Sequence, residues 1–243
     1  MTINIVFPVL NEDERLKHGI EKTSSFLADY PDIDYKITIV DNGSDELHQQ
    51  IAIEVSNKYP NIHYIYLPEK GVGGALQAAV QYNDFDIIGY MDVDLATPPK
   101  YLIDVLDIFK NNPNVNIINA SRLLKSSNVI GRKIIREISS RLLNALISIV
   151  FRASFTDAMC GFKYFRKDTI EYIAKHASND RSWFYCAELL LWAEKLGYSI
   201  YEIPVDWHDD PNSKVKIFRL ARQYLKRMFY IRKDLSNYKK LRS

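Results

Sequence analysis

Two aspartates one residue apart, in Met91-Asp92-Val93-Asp94, close an apolar run. At the carboxyl end of a strand such a pair aims hard oxygen ligands at one point. Mg²⁺ or Mn²⁺ suits those ligands and commonly keeps positions for water and substrate phosphates. An Asp-x-Asp alone also occurs in solvated turns, so its weight depends on what stands at comparable places. Phe7-Pro8-Val9-Leu10-Asn11-Glu12 and Val40-Asp41-Asn42-Gly43-Ser44-Asp45 each close an apolar run, and Lys70-Gly71-Val72-Gly73-Gly74-Ala75 follows a third. Asp41 is suited to accept an N–H from a base, and Glu12 to accept ribose hydroxyls. Gly71, Gly73 and Gly74 permit close backbone approach to a ligand. Each segment also fits a turn or a cap, Ser44-Asp45 among them. A dinucleotide fingerprint would need a third glycine where Leu76 stands, so NAD binding ranks low.

These residues need elements to hold them. Runs at 3–7, 36–40, 62–67, 86–91 and 115–120 read as strands; 11–30, 45–58, 72–82 and 99–111 read as helices. Leu102, Val105, Leu106 and Phe109 have the spacing of a buried helix face, and Pro98-Pro99 fits its start. The alternation predicts an α/β fold with a mostly parallel central sheet flanked by helices. Ligands in such sheets gather at the carboxyl ends of the strands. Beyond Gly131 the pattern turns helical over 132–151. Ile134, Ile135, Ile138, Leu142, Leu146 and Ile149 form a broad apolar face there, with Arg132, Lys133, Arg136 and Arg141 around the polar side. A strand at 162–165, a helix at 187–196, a strand at 199–205 and a helix starting near Lys214 complete the reading.

Of the 243 residues 47% are hydrophobic and 26% charged, which excludes wholesale disorder and fibrous classes. Cys160 and Cys186 are the only cysteines, too few for a disulfide framework or a four-cysteine zinc site. No apolar stretch approaches the roughly 18 residues of a spanning helix, and no basic leader precedes Ile3. The net charge of +2 hides an asymmetry: residues 214–243 hold eleven Lys or Arg and one acid, Asp234, for +10, leaving −8 on residues 1–213. A basic end reads as a patch for phospholipid or nucleic acid, or as a solvated face. Ile217, Leu220, Ala221, Tyr224 and Met228 share one face of that segment, with Arg219, Arg222 and Lys226 opposite. Such a helix either lies on a membrane or docks on its own domain.

Taken in order, Pro-x-x-Asn-Glu, Val-Asp-Asn-Gly-Ser, Gly-x-Gly-Gly-Ala and Asp-x-Asp resemble the inverting family 2 glycosyltransferases with the GT-A fold. Within them the pattern is most similar to the dolichyl- and polyprenyl-phosphate glucose and mannose synthases. It continues through Ala120-Ser121-Arg122, through Asp157-Ala158-Met159-Cys160-Gly161-Phe162-Lys163 and through Glu188-Leu189-Leu190. Glu202-Ile203-Pro204-Val205-Asp206-Trp207 and Ser213-Lys214-Val215 extend it, so that it covers residues 3–218.

The resemblance implies roles residue by residue. Pro8, Asn11 and Glu12 would line the nucleoside pocket, with Asp41 on the base and Gly71, Gly73 and Gly74 beside the nucleotide. Asp92, Val93 and Asp94 would meet the donor diphosphate, the two aspartates holding Mg²⁺ or Mn²⁺. Arg122 would meet phosphate, and Ser213 and Lys214 would close over the diphosphate. Asp157, Cys160, Gly161, Phe162 and Lys163 would form a wall under the sugar, and Glu188 would face the sugar or the acceptor. Asp92, Asp94, Arg122 and Lys214 are thus the expected catalytic residues. Val72, Gln77 and Cys186 depart from the common pattern, and Ala96 stands where mannose-type members place Gln.

The implied protein is a metal-dependent hexosyltransferase using UDP-glucose ahead of GDP-mannose, with a polyprenyl or dolichyl phosphate as acceptor. Residues 1–213 would form its catalytic domain, including an acceptor-side helix at 131–153, and 214–243 a basic amphipathic extension. It would sit peripherally on the cytoplasmic face of an anionic membrane, with room for a membrane-protein partner and no nucleic acid. Two other readings stay open. One is a glycan-extending transferase with Asp157 or Glu188 as base; the other is a non-catalytic nucleotide- or nucleic-acid-binding protein.

Overall fold

The computed structural model describes residues 1–209 and 217–242, with side chains described for 1–209 and 222–238. In chain order the elements are β1 (Ile3–Val9), α1 (Glu14–Ala28), β2 (Tyr35–Asn42), α2 (Glu46–Asn57), β3 (Ile62–Leu67) and α3 (Val72–Gln81). Next come β4 (Ile87–Met91), α4 (Tyr101–Asn111), β5 (Ile117–Ser121), β6 (Asn128–Ile130), α5 (Ile134–Phe151) and β7 (Phe162–Arg166). α6 (Lys167–Ala174), α7 (Phe184–Leu196), β8 (Ile200–Pro204), β9 (Asp206–His208) and α8 (Ile217–Arg242) complete the chain.

Seven strands form the central sheet in the order β3-β2-β1-β4-β7-β5-β8. β1, β2, β3 and β4 run parallel, and β8 runs parallel to β5. β7 lies antiparallel between β4 and β5. That reversal sets up the site, because it pairs Met91 at the end of β4 with Phe162 at the start of β7. Residues just before β7 therefore meet those just after β4.

β1 and β4 are apolar and buried along almost their whole length because helices cover both faces of the sheet. Alternate side chains feed two cores. Ile5, Phe7, Leu16, Ile20, Leu102, Phe109 and Phe162 fill one; Val6, Val40, Leu76, Tyr90, Phe184 and Leu190 fill the other. Tyr224, Met228 and Ile231 of α8 are buried in the second core. The expected membrane face of this segment is therefore corrected at Tyr224 and Met228, which dock on the chain's own domain. The side chains of Ile217, Arg219, Leu220 and Ala221 lie outside the described ones, as do Ser213 and Lys214 altogether.

Other boundaries move for local reasons. The first helix starts at Glu14 instead of residue 11, because Asn11 takes a left-handed conformation (φ 52°) and ties β1 to the next turn. Its amide donates to Ser44 Oγ at 2.8 Å, and its side chain accepts the Asp45 amide at 3.0 Å. Asp45 caps α2 by accepting the His48 amide, as the sequence implied. β6 and β9, paired with each other, are three residues each and too short to show a period.

Candidate active site

The strand-end aspartates stand on a tight turn after β4. The Leu95 amide donates to the Asp92 carbonyl at 3.0 Å, and the Ala96 amide to Asp94 Oδ1 at 3.0 Å. Asp92 is anchored to β7 through its amide, which donates to the Gly161 carbonyl at 3.1 Å. A side chain at 161 would collide with this carboxylate, since a Cβ built there lies 1.9 Å from Asp92 Oδ2. Burial pushes the Asp92 carboxyl up to about 7, and the charge of Asp94 adds to the rise. Asp94 is exposed. Among the described residues no cluster of three or more His, Cys, Asp or Glu side chains surrounds the pair. Two carboxylates with open positions fit a hard cation whose other ligands are water and phosphate oxygens.

Beside the pair lies a buried ion pair. Arg122 Nε donates to Asp157 Oδ2 at 2.7 Å and Nη2 to Oδ1 at 2.9 Å, while the Arg122 amide adds a third bond at 3.1 Å. Burial would raise the Asp157 pKa, but the guanidinium outweighs it and holds the carboxyl well below its usual range. The guanidinium also stacks over Trp207, 4.7 Å from the ring centroid. Arg122 is thus a fixed, permanently charged group near Asp92.

Several expected contacts are corrected. Asp157, Cys160, Phe162 and Lys163 are fully buried, so they support the site from below and expose no wall to a sugar. Lys163 Nζ donates to the Cys160 carbonyl at 2.5 Å, and burial lowers its pKa. Burial pushes the Cys160 thiol up to about 12, so it stays protonated. Glu188 is buried on α7 with its oxygens committed to Ser178 and Arg227. Asp41 is fully buried; its Oδ1 accepts the Ser44 amide at 2.9 Å and its Oδ2 the Tyr64 hydroxyl at 3.0 Å. Contact with a base would require Tyr64 to yield its place.

A cleft of about 510 Å³ opens at the ends of β1 and β2. Pro8, Leu10, Glu12, Asn42, Lys70, Gly71 and Val72 line one side, and Asp180, Arg181, Ser182 and Trp183 the other. Gly71 has φ 138°, a conformation that favours glycine, and its amide donates to Asn42 Oδ1 at 2.9 Å. Gly73 and Gly74 do not face the cleft's ligand space as expected. They pack on the 180–182 segment, the Gly73 amide donating to the Arg181 carbonyl at 2.9 Å. Gly71 is also closely approached by this segment, since a Cβ built there would lie 2.1 Å from the Arg181 carbonyl oxygen, so all three glycines make room for protein backbone or side chain at 180–182.

Arg132 was read only as part of a polar helix face. Its side chain is largely buried, its Nη1 lies 3.4 Å from Glu137 Oε2, and its Nε has no hydrogen-bond partner among the described residues. Burial lowers its pKa, and the positive charge of Arg122 adds to the fall. Only its position, ten residues after Arg122 and just before α5, hinted at this.

Beyond the site, α5 carries Ile134, Ile135, Ile138, Leu142 and Ile149 on its outer face, all at least half exposed. α8 packs beside α5 and exposes Leu225 and Phe229 together with Arg222 and Lys226. No helix among the described residues is long and apolar enough to cross a membrane.

The sequence pattern of Glycosyl transferase family 2 matches residues 4–173. The chain belongs to glycosyl transferase family 2. Glycosyltransferase AglD of Haloferax volcanii is 26% identical over 219 residues, covering 89% of this family 2 chain and 35% of AglD. The chain thus spans about a third of that relative's length. A dolichyl-phosphate beta-glucosyltransferase of Dictyostelium discoideum is 27% identical over 241 residues, covering 95% of the chain and 73% of the relative. Among solved structures, glucosyl-3-phosphoglycerate synthase from Mycobacterium tuberculosis, crystallised with Mn²⁺, uridine diphosphate and phosphoglyceric acid, overlays with a TM-score of 0.70. It is 15% identical and covers 95% of this chain and 78% of its own, a likeness of fold. The fold is GT-A, with the mostly parallel sheet that the strand–helix alternation predicted.

Proposed function

We propose that this chain transfers glucose from UDP-glucose to a polyprenyl or dolichyl phosphate, with inversion at the anomeric carbon. The observation that carries the reading is the convergence of Asp92 and Asp94 with the buried, Asp157-locked Arg122. The names of the relatives favour glucose and a polyprenyl phosphate.

The cleft bounded by Glu12, Asn42 and Gly71 would receive the nucleoside, with the diphosphate reaching the strand-end aspartates. Asp92 and Asp94 would hold Mg²⁺ or Mn²⁺, which supplies positive charge against the diphosphate when bound. Arg122 and Arg132 would supply positive charge toward the acceptor phosphate. A phosphate oxygen of the acceptor forms the new bond to C1 of the sugar. The bond from C1 to the diphosphate oxygen breaks, and its electron pair leaves with the nucleoside diphosphate. The acceptor is already an anion, so alignment and charge stabilisation do most of the work. Lys214, which lies outside the described residues, would supply further positive charge for the leaving group.

Attack by a sugar hydroxyl would need a general base. Asp157 is committed to Arg122 and held well below the usual carboxylate range, and Glu188 is committed to Ser178 and Arg227. Their engagement favours the phosphate acceptor over glycan extension. The exposed apolar stripe of α5, with the basic outer face of α8, would seat the protein on the cytoplasmic face of an anionic membrane. A membrane-protein partner would use the same stripe.

The test is transfer of labelled glucose from UDP-glucose into lipid extract with Mn²⁺ present. Asp94→Asn should lower turnover by roughly 100-fold or more, with the melting temperature kept. Full turnover of this variant, or of the parent in excess chelator, would remove the metal role.

A further inference from the structure

The outer face of α8 holds Arg222 and Lys226 in solvent, but the next residue, Arg227, turns inward. Its Nε lies 3.0 Å from Asp180 Oδ2, and its Nη2 lies 3.2 Å from Glu188 Oε2 and donates to the Ser178 hydroxyl. Glu188 is almost wholly buried, and its carboxylate also accepts the Ser178 amide and hydroxyl, each at 2.7 Å. One guanidinium thus gathers α7 and the segment at 178–180. A buried carboxylate that loses its cation is strongly disfavoured, so this junction resists opening.

The same segment is a wall of the donor cleft. Asp180 holds Ser182, accepting its amide at 3.1 Å and its hydroxyl at 2.7 Å. The Asp180 carbonyl accepts Gln77 Nε2 at 3.0 Å, and the Arg181 carbonyl accepts the Gly73 amide at 2.9 Å. Gln223, one turn before Arg227 on α8, lines the cleft directly.

We infer that Arg227 is a positioning residue for the donor: through Asp180 and Glu188 it fixes the 178–182 wall against the glycine loop without touching the nucleotide. The inference rests on the reading of that cleft as the nucleotide site. Arg227 serves binding more than chemistry, because the reacting atoms lie beyond the cleft, at Asp92 and Asp94.

The test is calorimetric binding of UDP with Mn²⁺ to the full chain, alongside steady-state kinetics. Arg227→Gln should weaken UDP binding about tenfold, the scale of one lost charged hydrogen bond. KM for UDP-glucose should rise by a similar factor while kcat changes little. Arg227→Lys should recover part of the loss, and Lys226→Gln, on the outer face, should bind like the parent. Hydrogen exchange on the unmodified protein provides a readout that needs no variant: UDP should slow exchange in both 178–183 and 222–231. Equal UDP affinity in the parent and Arg227→Gln, or no slowing in 222–231, would overturn the inference while leaving the donor site standing. A parent that binds neither UDP nor GDP would overturn both.

Discussion

Asp92 sits where a small change decides whether a cation can bind. Its carboxyl titrates near 7 in the folded protein because burial and Asp94 oppose its charge. A cation needs the charged form, so protons compete with it below that value. The apparent affinity for Mn²⁺, measured by calorimetry, should fall about tenfold per unit as pH drops below 7. The metal-free protein should behave in the opposite sense: it loses stability as pH rises from about 4 toward 7, since the unfolded chain gives up this proton first. Gly161→Ala tests the floor of the same site. The added Cβ would meet the Asp92 carboxylate, so the variant should lose about 1–3 kcal/mol of stability. Its turnover should fall roughly 100-fold through displacement of that carboxylate; parent-like Mn²⁺ affinity in the variant would contradict this. The aspartates were legible in the sequence only in company with the segments that close the other apolar runs, since an Asp-x-Asp alone also occurs in solvated turns. Arg132 was not, because a helical wheel sorts residues by polarity and cannot show that a guanidinium is buried against Glu137.

Among the elements, α5 and α8 show where periodicity informs and where it stops. The apolar positions of both were visible in the sequence. Whether an apolar face meets protein or solvent depends on which other element needs covering. On α8 the face with Tyr224, Met228 and Ile231 closes a core. On α5 the larger part, from Ile134 to Ile149, remains outside. In the proposed membrane-bound arrangement α5 would therefore supply most of the apolar contact, while Tyr224 and Met228 of α8 would take no part. Replacing Ile134, Ile138 and Leu142 together with Gln should reduce binding to anionic vesicles by roughly 10- to 100-fold. UDP affinity should be unchanged, and added salt should weaken what binding remains, since the basic contribution is screened over about 8 Å. Co-sedimentation equal to the parent's would move the lipid contact elsewhere.

At the scale of the whole molecule, the strand–helix alternation was enough to predict the mostly parallel sheet, and with it a ligand site expected at the carboxyl ends of the strands. The decisive detail was the antiparallel β7, which no local pattern marks, because strand direction is set by partners distant in sequence. It brings Gly161 beside Asp92, with the Asp157–Arg122 pair within electrostatic reach, so the proposed metal ligands and a proposed phosphate-binding arginine share one end of the sheet. In the proposed reaction this arrangement serves an acceptor that is already an anion. The most direct measurement offers the protein UDP-glucose and Mn²⁺ with equal amounts of a polyprenyl phosphate, the corresponding polyprenol and an oligosaccharide, and follows labelled glucose into each. Label should appear in the polyprenyl phosphate alone and be released by mild acid, as expected of a glycosyl phosphate. Label in the oligosaccharide or the polyprenol, with none in the phosphate, would contradict it.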